Sequence, residues 1–356
     1  PATYFKLFVL VHCLGAGIGA WLLARQHRLG PLSAFLVGSA WMASGPLLSS
    51  VSLFHHFAGA AWTPWVLWAL GRALDRRTVS STLVLGTVGA GQLLAGSADV
   101  AFMTALLASA MVAGFVLPGP KGAPSSASTG QRLRIAGRVV PLAVAYATLL
   151  AAVQWWPTLA NVGAGSRLDF DSRTSLYWSL HPASLLDLVV PRLVADLPLN
   201  EQARAVVFEG REPLLASAYL GIPCLALVAV AFLNPRRRLP LVLVAGVIFL
   251  VITALGRHAP LLPTLLELPV FGLFRYPPKY LLPAGLLWAL LAGVGLETIG
   301  RSASGVRTRG FLLVGLVAAG GAVALGTLAA WLGGHPPAVD RLLAATADRS
   351  TVVTMA

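Results

Sequence analysis

Of 356 residues, 57% are hydrophobic and only 11% are charged, against about 25% charged in an ordinary soluble domain. That composition excludes a typical soluble enzyme and makes lipid the natural solvent for most of the surface. The formal net charge of +13 does not read as nucleic-acid binding, because the basic residues sit in short clusters between apolar runs, which is how membrane topology is written.

A bilayer core of about 30 Å takes about 20 apolar residues as a helix. Runs of that kind lie at 5–24, 31–53, 58–74, 79–95, 98–117, 138–158, 213–233, 239–255, 278–298 and 311–333. They predict an all-α, polytopic integral membrane protein with about ten transmembrane helices, filling residues 1–335. The first run has no cleavage-site pattern and is followed by many more, so it reads as a span rather than a signal peptide. The chain opens without Met and reads as a fragment of a longer protein. Cys13 and Cys224 fall inside apolar runs and read as small hydrophobes. No cofactor and no metal set is implied.

The loops alternate in charge. Arg25 and Arg28, then Arg72, Arg76 and Arg77, then Lys121, Arg132, Arg134 and Arg138, then Arg236, Arg237 and Arg238, then Arg301, Arg307 and Arg309 hold 15 of the 26 basic residues. The short loops around His55–Phe57 and Gly96–Asp99 hold none. The positive-inside rule places the basic set in the cytoplasm and the others outside. Only Asp75 and Glu297 of the 13 acids then lie inside.

Residues 118–131 are rich in Pro, Gly and Ser and read as a flexible cytoplasmic linker. Residues 159–212 form the longest polar stretch, an outer loop with Asp169, Asp171, Asp187, Asp196, Glu201, Glu209 and Glu212 and the aromatic residues Phe170, Tyr177, Trp178 and Phe208. Long loops on a rigid scaffold are where binding chemistry tends to sit. Residues 257–280 are too interrupted by proline to span and too apolar for a solvated loop. They read as a re-entrant or interfacial segment. The two stretches are expected to meet on the outer face and roof a cavity. Residues 336–356 read as the start of an extracytoplasmic C-terminal segment.

Candidate substrate-binding residues follow from chemistry out of place. Arg275, Tyr276 and Lys279 bracket Pro277 and Pro278 at the start of a helix. Proline fits a first helical turn, and the N-terminal end of a helix attracts anions. Two cations there oppose the dipole, which points to a negative ligand such as a phosphate at the membrane surface. Snorkelling to lipid headgroups is the alternative. Gln154, beside Trp155 and Trp156, and Gln92 either bond a neighbouring helix or line a cavity. His55 and His56 read as interfacial packing or substrate contacts, since two adjacent histidines do not easily face one metal. Asp99 either caps its helix or presents a carboxylate to an outer cavity. Asp169 and Asp171 read as solvated, with binding of sugar hydroxyls or action as a base as the alternative.

Four stretches, GQLLAGSADVAFMTALLASA (91–110), AAVQWWPTLANV (151–162), YWSLHPASLLDLVVPRL (177–193) and FRYPPKYLLPAGLLWALLAGVGLE (274–297), occur in this order. Together they resemble the YfhO-like family of bacterial membrane proteins, which is similar to the GT-C class of glycosyltransferases. The resemblance implies a multi-pass protein of the bacterial inner (cytoplasmic) membrane. It implies transfer of a sugar from a polyprenyl-phosphate donor to a cell-envelope glycan or lipid acceptor, with Arg275 and Lys279 matching the family's Arg-x-Pro-x-Lys/Arg stretch. GT-C enzymes place a catalytic acid in the first outer loop. Only Pro1–Lys6 precede the first span here, without an acid, so the catalytic base is expected outside these residues. A lipid-linked sugar transporter or flippase and a non-catalytic scaffold subunit are the competing readings.

Overall fold

The computed structural model describes residues 2–117, 128–164, 172–196, 201–234, 238–268, 271, 275–301 and 304–334, and every regular element among them is helical. The helices are α1 (Ala2–Gln26), α2 (Pro31–Met42), α3 (Gly45–Ser49), α4 (Phe54–Arg76), α5 (Val79–Leu94), α6 (Ala98–Val116), α7 (Thr129–Leu150), α8 (Ala152–Ala164), α9 (Ser172–Ser175), α10 (Glu201–Phe208), α11 (Ile222–Ala231), α12 (Arg238–Ala254), α13 (Leu261–Leu266), α14 (Leu281–Arg301) and α15 (Ser304–Gly334). Short 3-10 turns lie at Ser50–Leu53, Pro182–Leu188, Gly256–His258 and Pro277–Tyr280. Five helical stretches among the described residues are long and apolar enough to cross a membrane: Ala2–Gln26, Pro31–Arg76 (interrupted at Ala43 and Ser44), Ala98–Val116, Thr129–Leu150 and Pro277–Arg301. Several shorter apolar helices accompany them. This is an all-α membrane protein.

The chain forms two compact units, Pro1–Ala43 with Ser50–Asp169, and Ser44–Ser49 with Phe170–Ala356. In the first, α1 packs on α2 and α4, α4 on α5 and α6, and α5 on α7. Small residues set these distances, as in membrane bundles generally: a Cβ on Gly38 would stand 2.7 Å from the Gly17 carbonyl oxygen. The core includes Leu70, Leu74, Leu85, Val139 and Ala143. α6 buries only Val100, Met103 and Thr104, and α7 exposes Leu133, Leu142, Val144 and Leu149. Apolar faces turned outward on this scale belong against lipid. Local chemistry starts the helices. The side chains of Thr78, Ser97 and Ser128 accept hydrogen bonds from the N–H groups of Ser81, Val100 and Gln131, capping α5, α6 and α7.

The second unit is organised around α14. It buries 16 of its 21 residues, against α11, α12 and α15. Gly295 is required where α14 meets α11, since a Cβ there would run into the Leu227 carbonyl. α3 also packs on α14.

Three sequence expectations are redrawn. The run 31–53 is not one helix, because α2 stops at Met42. Ser44–Ser49 instead joins the second unit, where Gly45 N–H donates to the Tyr219 carbonyl (2.9 Å) and Ser217 N–H donates to Ser49 Oγ (2.7 Å). Those same bonds hold 213–221 out of helix, so the run 213–233 narrows to α11, entered through Gly221 at φ 93° and Pro223. The linker 118–131 is shorter than read: the Ser128 cap makes Thr129, Gly130 and Gln131 helical, and α7 ends at Leu150 before α8 begins. Residues 118–127, Asp169, Asp171, Arg236, Arg237 and 335–356 lie outside the described residues.

Candidate functional site

The eight candidate residues fall into two groups, one in each unit. In the first unit, His56 Nε2 lies 3.4 Å from Asp99 Oδ2, with His56 7% exposed. The His56 Nδ1 atom is buried without a hydrogen-bond partner among the described residues. The His55 ring stands 4.0 Å from that of His56. Helix capping falls to Ser97, so Asp99 at the second helical position serves the histidine instead. Gln92 is buried, and its amide nitrogen faces the Gly59 carbonyl (3.0 Å), Thr63 Oγ1 (3.2 Å) and Thr104 Oγ1 (2.7 Å). That is the helix-bonding role, joining α5 to α4 and α6. Gln154 is exposed on α8, with its Nε2 3.8 Å from where a Gly96 side chain would begin.

The second group is built by two segments that interlock, as expected of the stretches around 159–212 and 257–280. Leu180 N–H donates to the Ala254 carbonyl (3.0 Å), Arg257 N–H to Ser179 Oγ (3.0 Å) and Tyr276 N–H to the Ser175 carbonyl (3.2 Å). Gly256, at φ 54°, is the hinge of this junction, because any side chain there would strike Ser179. Arg257 reaches Glu209 (2.7 Å) and the Leu176 carbonyl (3.2 Å). Glu209 in turn accepts from Trp178 N–H (3.3 Å).

An aromatic ladder lies over this junction. The Arg211 guanidinium sits 4.1 Å from the Tyr177 ring centre and 4.8 Å from that of Trp178. Trp178 meets Tyr276 edge to face at 4.7 Å, and Lys279 Nζ is 4.7 Å from the Tyr276 ring. Such contacts favour a cation held at the aromatic face. Trp178, Glu209 and Tyr276 all have positive φ, at 58°, 58° and 68°. Non-glycine residues rarely adopt that backbone, which costs about 1–3 kcal/mol each. Trp178 touches both of the others, and such outliers gather at binding and switching sites. Lys279 is 4% exposed, so its ammonium does not run outward as snorkelling requires. Pro277–Tyr280 is a 3-10 turn, and α14 proper begins at Leu281.

Beneath the ladder is a cavity of about 40 Å³, lined in part by Trp178, His181, Ser184, Asp187, Glu209 and Pro278. It has room for about two or three waters. Asp187 is 8% exposed and accepts from Val194 N–H at 2.8 Å. Burial raises its carboxyl to about 6, the negative charge of Asp196 adds to the rise, and the N–H groups of Val194 and Leu193 oppose it. His181 Nδ1 accepts from Ala183 N–H, and its ring stands 5.2 Å from that of His258. Burial lowers both histidines. His258 falls to about 4, with His181 and Arg257 contributing. The walls thus offer a carboxyl able to change charge near pH 6, a neutral imidazole and a hydroxyl.

Sequence reasoning located Arg275, Tyr276 and Lys279 but passed over Asp187, His181, Glu209 and Arg257 as site residues. One signal was there: Asp187 stands alone in LLDLVV, and an acid in an apolar run is buried for a reason. No family model, curated protein or solved structure matches this chain.

Proposed function

We propose that this chain is the membrane domain of a GT-C-like glycosyltransferase of the bacterial cytoplasmic membrane. It has about ten spans, and its basic loops face the cytoplasm. It moves a sugar from a polyprenyl-phosphate donor to a cell-envelope acceptor on the outer face. One observation carries the reading: two interlocked loop segments form a cavity with a few polar groups at the start of α14, and the Arg275–Lys279 bend forms part of that junction. The order of the four family-like stretches supports it, since two of them build this junction.

Arg275 and Lys279 serve the phosphate of the donor. The apolar residues Leu261–Leu266 of α13 lie a short way upstream, suited to the prenyl chain. Sugar and acceptor meet at the cavity mouth, beside Trp178 and Tyr276. A charge-assisted hydrogen bond contributes about 1.5–3 kcal/mol, so losing one weakens donor binding about 10- to 150-fold. The test is binding of polyprenyl phosphate in nanodiscs to the wild type, to Arg275→Ala and to Lys279→Ala. Both variants should fold and lose affinity. Folded variants with wild-type affinity refute the phosphate site. A wild type that carries the donor across the bilayer without cleaving it makes the protein a transporter instead.

A further inference from the structure

We propose that His181, Ser184 and Asp187 form a hydroxyl-recognition subsite that takes the hydroxymethyl arm of a hexose. The inference rests on the glycosyltransferase reading above and deepens it by naming the sugar class: one with a free primary hydroxyl. The three side chains bind and orient the sugar, and the catalytic base is still expected outside these residues.

The subsite is built by one short turn. Pro182–Leu188 is a 3-10 helix capped by His181, and in such a helix side chains three apart eclipse. Ser184 and Asp187 therefore stand in one row with His181 at its head, and all three line the cavity. They are 3% (His181), 4% (Ser184) and 8% (Asp187) exposed, whereas Leu186 of the same turn is 51% exposed. The turn hides its polar row and shows a leucine. Burying polar groups costs free energy unless each finds a hydrogen-bond partner.

The protein supplies those partners only in part. The Ser184 main-chain N–H donates to the His181 carbonyl at 2.8 Å, but its hydroxyl has no partner among the described residues. His181 Nδ1 accepts from Ala183 N–H, which puts the ring hydrogen on Nε2, and that N–H has no acceptor among the described residues. Asp187 accepts from Val194 N–H, and no cation pairs with it there. The row thus offers an N–H donor, a hydroxyl that donates or accepts, and a carboxyl that accepts once ionised, above about pH 6. A bare cation mismatches the imidazole N–H, and an anion mismatches the carboxylate. An alcohol suits all three, since its oxygen accepts while its hydrogen goes to Asp187. The cavity of about 40 Å³ takes the carbon and oxygen of one hydroxymethyl arm in place of about two waters. It is too small for a sugar ring, which stays at the mouth against Trp178.

The experiment measures binding, using the full chain in nanodiscs above pH 7. Each hexose is set against the pentose that differs only in lacking the arm: glucose against xylose, galactose against L-arabinose, mannose against lyxose. Every pair is offered as polyprenyl-phosphate sugars and as methyl glycosides, which separates a subsite for the donor from one for the acceptor. In at least one pair the wild type should bind the hexose about 10-fold or more tightly, because a site built for a hydroxyl rejects the analogue without it. Ser184→Ala breaks no side-chain hydrogen bond within the protein, so it should fold and cut that preference about 3- to 10-fold, the effect of one hydrogen bond. Equal binding in every pair, as a cavity serving only water gives, overturns the subsite. So does a hexose preference that Ser184→Ala leaves unchanged. In both cases bound polyprenyl phosphate keeps the transferase reading standing. A wild type that ignores polyprenyl phosphate yet prefers a methyl hexoside overturns the phosphate site and keeps the subsite. A wild type that binds none of these probes overturns both.

Discussion

Trp178 and Tyr276 come from separate segments of the second unit, yet their rings meet at 4.7 Å and 89° while both backbones sit at positive φ. Each segment is therefore shaped by the other. Removing Trp178 takes away the Tyr276 contact, the Arg211 stack and the indole bond to the Glu212 carbonyl at 2.9 Å.

Trp178→Ala should destabilise the second unit by about 2–4 kcal/mol, near the lower end for loss of a large buried ring because this one is partly exposed. Trypsin should then cut at Arg204 and Arg211 in a protein otherwise resistant there. Trp156→Ala, at a residue 69% exposed, should leave both the melting temperature and the digest unchanged. Equal effects of the two would mean that the ladder holds nothing.

The pH dependence has a definite sign. His258 is lowered to about 4 from 6.5, so between those values the unfolded chain binds a proton that the folded protein does not, and stability falls as pH drops. Asp187 is raised to about 6 from 3.8. Between those values the folded state holds the extra proton, and stability falls as pH rises. The two effects oppose each other across pH 4–6. His258→Phe removes one of the two histidine effects, His181 keeping the other, so its melting temperature should rise relative to the wild type's as pH falls from 6 to 4. Asp187→Asn should do the reverse and melt progressively earlier over the same range. Parallel melting curves for the two variants would disprove the assignment.

What was legible in the sequence was whatever a lipid solvent imposes locally. Apolar length marked α1, α4, α5, α6 and α14, whereas the Ser128 cap that starts α7 was read as part of a flexible linker. What was illegible depended on distant partners. Nothing local says that Gly45 and Ser49 bond to residues 217–219, so an apolar run looked like one span and is two helices and a crossing. The Arg275-Tyr276-Pro277-Pro278-Lys279 cluster stood out because its charges oppose a helix end. Glu209 and Arg257 looked like ordinary loop charges, because only the fold brings them within 2.7 Å.

His56 and Asp99 offer a further test. If Asp99 serves the histidine and Ser97 the helix end, Ser97→Ala should cost about 1 kcal/mol whether or not His56 is present. Asp99→Ala should cost less once His56 is already Ala, because the contact between the two is then gone. A double-mutant cycle on thermal unfolding in detergent measures this. Additive costs for His56→Ala and Asp99→Ala, with coupling between Ser97 and His56, would return Asp99 to the role of a cap.

Topology is the last expectation, and it follows from charge alone. Gln131 lies in the first turn of α7 near Arg132, Arg134 and Arg138, whereas Glu212 lies beside the ladder and is 83% exposed in its side chain. The positive-inside rule puts the first in the cytoplasm, and the proposed donor site requires the second outside. With Cys13 and Cys224 replaced by Ala, Glu212→Cys should react with a membrane-impermeant maleimide in intact cells, and Gln131→Cys only after permeabilisation. Because Gln131 and Glu212 carry opposite expectations, a globally inverted protein would exchange the two results rather than blur them. That exchange would place the Asp187 cavity in the cytoplasm, away from any outer-leaflet donor.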